Sequence, residues 1–134
     1  MRGRKPETIV SASGTVLDVP RPPSWLSKDA KAEWRSVAAI LIERKHLTEA
    51  DLGTLGAYCD AAGQLAEASR LINAEGLVIA TPKGPRRHPA TAIQAQARDQ
   101  LRRLAAELGL TPVSRSRAAI QDGAAGDDLG FLDA

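Results

Sequence analysis

The sequence predicts a mainly α-helical fold: a long helical hairpin, a short extended segment and a third long helix. Three observations carry this. Apolar residues recur at helical spacing through three long stretches. Each stretch opens on a capping residue or a proline, and the second and third close on glycine. One short β-branched run separates the second from the third. Hydrophobic residues form 43% and charged residues 25% of the 134, which suits one globular domain needing neither disulfide nor metal. Aromatics, at 3%, leave Ala, Leu, Ile and Val to build the core.

Residues 1–24 contain Gly3, Pro6, Gly14, Pro20, Pro22 and Pro23 with little periodicity, which predicts a flexible, extended basic arm outside the core. Ser27 stands where an N-cap belongs, Asp29 falls in the first turn, and Ala30, Trp34, Val37, Ala38, Leu41 and Ile42 define the apolar face of a helix from about Ser27 to Lys45. Thr48-Glu49-Ala50-Asp51 then reads as a capping box whose hydroxyl accepts a free amide. The second helix runs from there to a left-handed cap at Gly76, roughly 40 Å, along Leu52, Leu55, Cys59, Ala62, Ala66, Leu71 and Ile72. Gly53, Gly56 and Gly63 each cost this helix about 0.5–1 kcal/mol against Ala. With Asp60 they form one narrow strip that admits a close neighbour, either within a hairpin or between subunits.

Leu77 to Thr81 reads as a short strand and Pro82-Lys83-Gly84-Pro85 as a turn. Pro89 suits the first turn of the third helix, with Ile93, Ala97, Leu101, Leu104 and Leu108 on its apolar face and Gly109 as its stop. Thr111-Pro112 starts a short last helix to about Ala119, and Gln121 to Ala134 reads as a flexible acidic tail. The expected organisation is a flexible basic arm over 1–24, a helical domain over 25–119 and a flexible acidic tail over 120–134.

The chemistry of known catalytic motifs is missing. No GxxxxGK[ST] loop, GxSxG elbow or HExxH pair occurs, and one Cys beside His46 and His88 makes neither a disulfide nor a zinc site. No cofactor, metal or catalytic residue is expected. Asp127 and Asp128 are the one pair that a metal-dependent nuclease would use, and in a Gly-rich tail they read as solvated charge. His88, between Arg87 and Pro89, reads as a surface or phosphate contact rather than a base. No apolar run reaches membrane-spanning length, and no apolar stretch of a secretory signal follows the basic start, so the cytoplasm is expected.

Charge is segregated. Residues 1–26 carry net +2, residues 27–82 net −2, residues 83–117 net +6 and residues 118–134 net −4. Lys83, Arg86, Arg87, Arg98, Arg102, Arg103, Arg115 and Arg117 form the basic block, and Arg2, Arg4 and Lys5 add a basic arm. Arginine suits bidentate phosphate contact and guanine readout, and scarce aromatics argue against single-strand stacking, so duplex DNA is the expected ligand. In the acidic tail, Leu129, Phe131 and Leu132 among Asp residues read as a short partner-binding segment.

The order of segments resembles the phage terminase small subunit family over nearly the whole ordered chain. Carrying it are Arg2-Gly3-Arg4-Lys5-Pro6, Pro22-Pro23-Ser24-Trp25-Leu26-Ser27 and Ala30-Lys31-Ala32-Glu33-Trp34-Arg35. They continue with Leu47-Thr48-Glu49-Ala50-Asp51, Tyr58-Cys59, Pro82-Lys83-Gly84 before His88-Pro89-Ala90, and Leu108-Gly109-Leu110-Thr111-Pro112 with Ser114-Arg115. His88 departs from the Asn found before this Pro in many members. The resemblance implies a non-catalytic, ring-forming homo-oligomer in the bacterial host cytoplasm. It would bind the packaging-initiation site on double-stranded DNA and recruit and regulate the large terminase subunit, which holds the ATPase and nuclease. For such a ring, Gly53, Gly56, Asp60 and Gly63 are the expected subunit contacts by helix packing, with Leu77 and Ile79 by edge pairing. The alternative is a dimeric helix-turn-helix regulator, for which the second helix is long and carries Asp60, Glu67 and Glu75 in place of a basic surface.

Overall fold

The structure, a computed structural model, describes residues 9–11, 14–113, 115 and 116. Helix α1 spans Lys28–Glu43, and a 3-10 turn at Glu49–Asp51 leads into α2, Leu52–Glu75. Strands β1, Val78–Thr81, and β2, Gly84–Arg87, form a two-stranded antiparallel ribbon before α3, Ala90–Glu107. The fold is mainly α, in the predicted order.

Local signals act where the sequence put them. Ser27 Oγ accepts from Ala30 N–H at 3.2 Å and caps α1. Asp29, in the first turn, accepts two hydrogen bonds from the Arg70 guanidinium of α2, and these hold its carboxyl below the usual carboxylate range. The carboxylate of Asp51 accepts from both the backbone N–H and the hydroxyl of Thr48, and the predicted capping box is formed. Gly109, at φ +71, ends α3 in a Schellman turn, its N–H bonding Ala106 O and that of Leu110 bonding Ala105 O. Lys45, at φ +58, closes α1 by the same pattern, in a conformation glycine adopts more easily.

Helix α2, 24 residues and about 36 Å long, is buried on two sides. Toward α1 it presents Leu55, Gly56, Cys59 and Gly63; Ala68 and Ile72 meet Ala90 of α3. A Cβ built on Gly63 would lie 2.7 Å from Ser27 Oγ and 3.1 Å from Ala30 Cβ, closer than packed atoms sit. One on Gly56 would make ordinary contact with Trp25 at 3.7 Å, and one on Gly53 would meet nothing within 4 Å. The intramolecular hairpin therefore accounts for Gly63 and, more loosely, Gly56. Trp34, Leu41, Leu47, Leu55, Val16 and Cys59 are the largest fully buried side chains.

Several expectations are corrected. The segment before α1 is extended, yet its last part belongs to the core: Val16 is 1% exposed, its N–H bonds Leu47 O, and Thr15 pairs with Thr48. The buried Trp34 indole N–H donates to Pro20 O at 2.8 Å, tying the proline stretch down. With so few large side chains, the small core needs Val16 and Leu26 to close around Trp34. Gly84 and Pro85, read as the second half of a turn, begin a strand that runs to Arg87. Gly76 has positive φ, but at ψ 160 it is extended and not left-handed helical. Ile93 is 47% exposed because α1, whose Asp29 meets Arg70, leaves the last turn of α2 and the start of α3 uncovered. Of the short last helix, the described residues 112, 113, 115 and 116 are helical.

Replacing Gly63 with Ala should lower unfolding free energy by about 1–3 kcal/mol through overpacking. Gly53→Ala should raise it by about 0.5–1 kcal/mol, because the position is helical and open. Urea denaturation of both variants checks the opposite signs; equal effects would contradict the packing described.

A candidate nucleic-acid interface

The basic block is built around the ribbon. In α2's last turn the chain leaves the helix through Gly76, whose φ of +91 needs glycine, and enters β1. Val78 pairs with Arg87, Ile79 with Arg86, Ala80 with Pro85 and Thr81 with Gly84. Pro82 and Lys83 form the tip, Gly84 returns at φ +107, and Thr81 Oγ1 donates to Gly84 O at 2.6 Å. Directly opposed residues share a face, so Val78, Ala80, Pro85 and Arg87 form one side and Ile79, Thr81, Gly84 and Arg86 the other. All four residues of the first side are exposed, whereas Ile79, Thr81 and Gly84 are half-buried.

His88 closes the neck of this ribbon. Its backbone N–H bonds Leu77 O, and its ring, 6% exposed in the residue as a whole, lies between α2 and α3. Nδ1 accepts from Ala90 N–H at 3.0 Å, so the neutral ring carries its proton on Nε2 and donates it to the Glu75 carboxylate. Its carbonyl accepts from the Thr91 hydroxyl and N–H. His88 is thus a buried cap for α3, and its reading as a surface or phosphate contact is corrected. The imidazole Nδ1 supplies the acceptor that an Asn side chain would supply at the same place.

No acidic residue occurs from Gly76 to Arg98. Lys83, Arg86, Arg87 and Arg98 are exposed and have no side-chain partner among the described residues. Arg102 and Arg103 sit farther along α3 and share the carboxylate of Asp99. Arg115 is half-buried, beyond the far end of α3 from the ribbon. The structure therefore sorts the block into free cations at and near the ribbon, neutralised ones along α3 and one at the opposite end. Arg2, Arg4, Lys5, Arg117, Leu129, Phe131, Leu132 and the Asp127–Asp128 pair lie outside the described residues. Lys28, Lys31 and Arg35, missing from the expected basic surface, lie at i, i+3, i+7 on α1, a spacing that was available to find them.

Of the residues proposed for oligomer contact, Gly53 and Asp60 lie on a flank of α2 that continues through Ala57, Gln64, Glu67 and Leu71. Shallow concavities run along it, walled on α3 by Ile93, Gln96, Gln100 and Arg103. Leu77 is 62% exposed and Leu71 42% at the ribbon end. Cys59 is inert: burial, with a smaller contribution from Glu33, pushes its thiol up to about 12. Among the described residues no group of three His, Cys, Asp or Glu side chains lies close enough to hold a metal ion, and no helix is long and apolar enough to cross a membrane.

A family model described as phage terminase, small subunit, matches residues 30–125. No curated protein and no solved structure matches significantly.

His88→Ala should cost about 1–2 kcal/mol of stability, since it removes the α3 cap and leaves Ala90 N–H without its acceptor. His88→Asn keeps an acceptor and should lose less than half as much in the same denaturation assay; equal losses would show that the cap is not what His88 contributes.

Proposed function

The chain belongs to the phage terminase small subunit family, whose role is phage DNA packaging, and on that premise we propose that it binds duplex DNA through the free cations of its ribbon end. Small subunits are in general non-catalytic, the ATPase and nuclease residing in the large subunit. The observation that supports DNA binding here is the stretch from Gly76 to Arg98, which carries no acid and four exposed cations without a side-chain partner among the described residues. In the proposed assembly, residues 25–119, with the preceding strap packed on them, form the DNA-binding and oligomerising body of a homo-oligomeric ring. Copies of a modest basic site, joined in a ring, act on one duplex at high effective concentration. Arg2, Arg4, Lys5 and Arg117 are proposed to add to this surface, Arg98, Arg102 and Arg103 to extend it along α3, and Arg115 to add to it beyond the far end of that helix.

The ring contacts are proposed on the open flank of α2, where Gly53 leaves room for a neighbouring helix and Asp60 lies beside Arg103. Leu77 and Ile79 would join that contact from one side of the ribbon. Gly56 and Gly63 already serve α1. Light scattering of the purified chain, with and without duplex DNA, should find a discrete assembly of about eight or more subunits. Gly53→Leu should reduce that mass without unfolding the chain, because its side chain enters open space. A stable dimer would favour instead a dimeric transcriptional regulator.

The acidic segment over residues 120–134 is proposed to present Leu129, Phe131 and Leu132 to the large subunit. Deleting residues 121–134 should weaken co-purification with the large subunit and leave duplex binding unchanged; undiminished co-purification would remove this role.

A further inference from the structure

Resting on the DNA-binding reading, we propose that the β1–β2 ribbon enters the major groove of duplex DNA, with its Val78–Ala80–Pro85–Arg87 face toward the base edges. Arg87 is the residue that reads them, and Arg86 and Lys83 hold flanking phosphates. Three independent features of the ribbon lead there.

The first is shape. A two-stranded ribbon has the width that a major groove of about 12 Å accepts, while a minor groove of about 6 Å excludes it without widening. Among the described residues no third strand joins either outer edge, so the element stands as a bare ribbon at the end of the helical body. A two-stranded hairpin of this length is marginal by itself, and this one is held at its neck, where His88 bonds Leu77 O and spans Glu75 and Ala90. His88 is a positioning residue for the ribbon and makes no contact with DNA.

The second is the asymmetry of its faces. The side with Ile79, Thr81 and Gly84 is half-buried and cannot turn to a ligand without leaving the body. The other side is bare along its whole length, with Val78 63% exposed. Apart from Arg87 its side chains are short, so its backbone can come close to the groove floor. Val78 and Ala80 offer apolar contact to thymine methyl groups, and Arg87, directly opposite Val78, offers a bidentate donor pair to guanine. Neighbouring strand residues face opposite ways, so Arg86 and Arg87 cannot both reach bases, and the exposed face assigns that role to Arg87.

The third is charge. Lys83, Arg86 and Arg87 have no partner among the described residues, and the acids that flank them in sequence, Glu75 and Asp99, are engaged by His88 and by Arg102 and Arg103. Protection of free strand edges also favours Lys and Pro, and would account for Lys83 and Pro85. It gives no reason for Arg87 to lie on a wholly exposed face opposite an exposed valine.

The test uses the full-length chain carrying Val78→Cys, since the native Cys59 is buried and does not compete. It is mixed with a short mixed-sequence duplex bearing a disulfide-activated thiol tether on cytosine N4, in the major groove, or on guanine N2, in the minor groove. Cross-linking should be several-fold greater with the N4 tether. In parallel, Arg87→Gln should weaken binding of the unmodified duplex by roughly tenfold or more, and Arg98→Gln, which removes a cation facing the phosphates, by clearly less, with the salt slope lowered by about one. If the wild-type chain binds duplex but the Val78→Cys chain cross-links through N2 or through neither tether, and Arg87→Gln matches Arg98→Gln, the ribbon is not the reader and DNA binding lies elsewhere on the chain. If the wild-type chain shows no salt-dependent duplex binding, the DNA-binding reading fails together with this one.

Discussion

The approach of α1 to α2 at Gly63 governs this fold. Ala30 and Ser27 sit where any side chain at residue 63 would lie, so the two axes come together only because that residue has none. Once they do, Trp34 can be buried against the α2 face that carries Leu55, Gly56 and Cys59. In a chain with few aromatics that indole is the largest side chain of the core, and it demands a partner for its N–H. The carbonyl of Pro20 supplies it, which draws the proline stretch and Val16 into the interior. One missing Cβ thus decides the helix spacing, the position of the core's largest side chain and the path of the segment before α1.

The opposite end of α2 is organised by polar rather than apolar contacts. There the buried cluster is only Ala68, Ile72 and Ala90, too small to fix the geometry of the ribbon. His88 does so by satisfying three groups at once: a strand carbonyl, a helix-end amide and the Glu75 carboxylate. This division suits a packaging protein of the terminase family. The α1 end is held by burial and is costly to disturb, while the ribbon end keeps its cations and short apolar side chains in solvent.

Much of this was legible in the sequence because local rules act locally. Ser27, Thr48 with Asp51, and Gly109 mark helix ends by hydrogen bonds made within a few residues, and the three apolar repeats mark helices regardless of what covers them. What escaped depended on contacts distant along the chain. Val16 is buried by Leu47 and its neighbours, and nothing in a Gly- and Pro-rich stretch signals that. Pro85-Arg86-Arg87 has poor strand propensity and is a strand only because Val78–Thr81 lies beside it. Ile93 continues the apolar repeat of α3 but lies where α1 no longer reaches. The basic block was visible as a count of charges; which members are free, and which share Asp99, required the positions of both partners.

The length of α2 has a mechanical consequence. It is one unbroken helix, gripped by α1 over its first two-thirds and carrying the ribbon beyond its last turn, so it works as a lever with its fulcrum at Gly63 and Arg70. A tilt of roughly ten degrees about Gly63, about 18 Å from the far end of α2, displaces that end by about 3 Å. Small adjustments where α1 seats on α2 are therefore delivered at the ribbon as movements on the scale of a base-pair step.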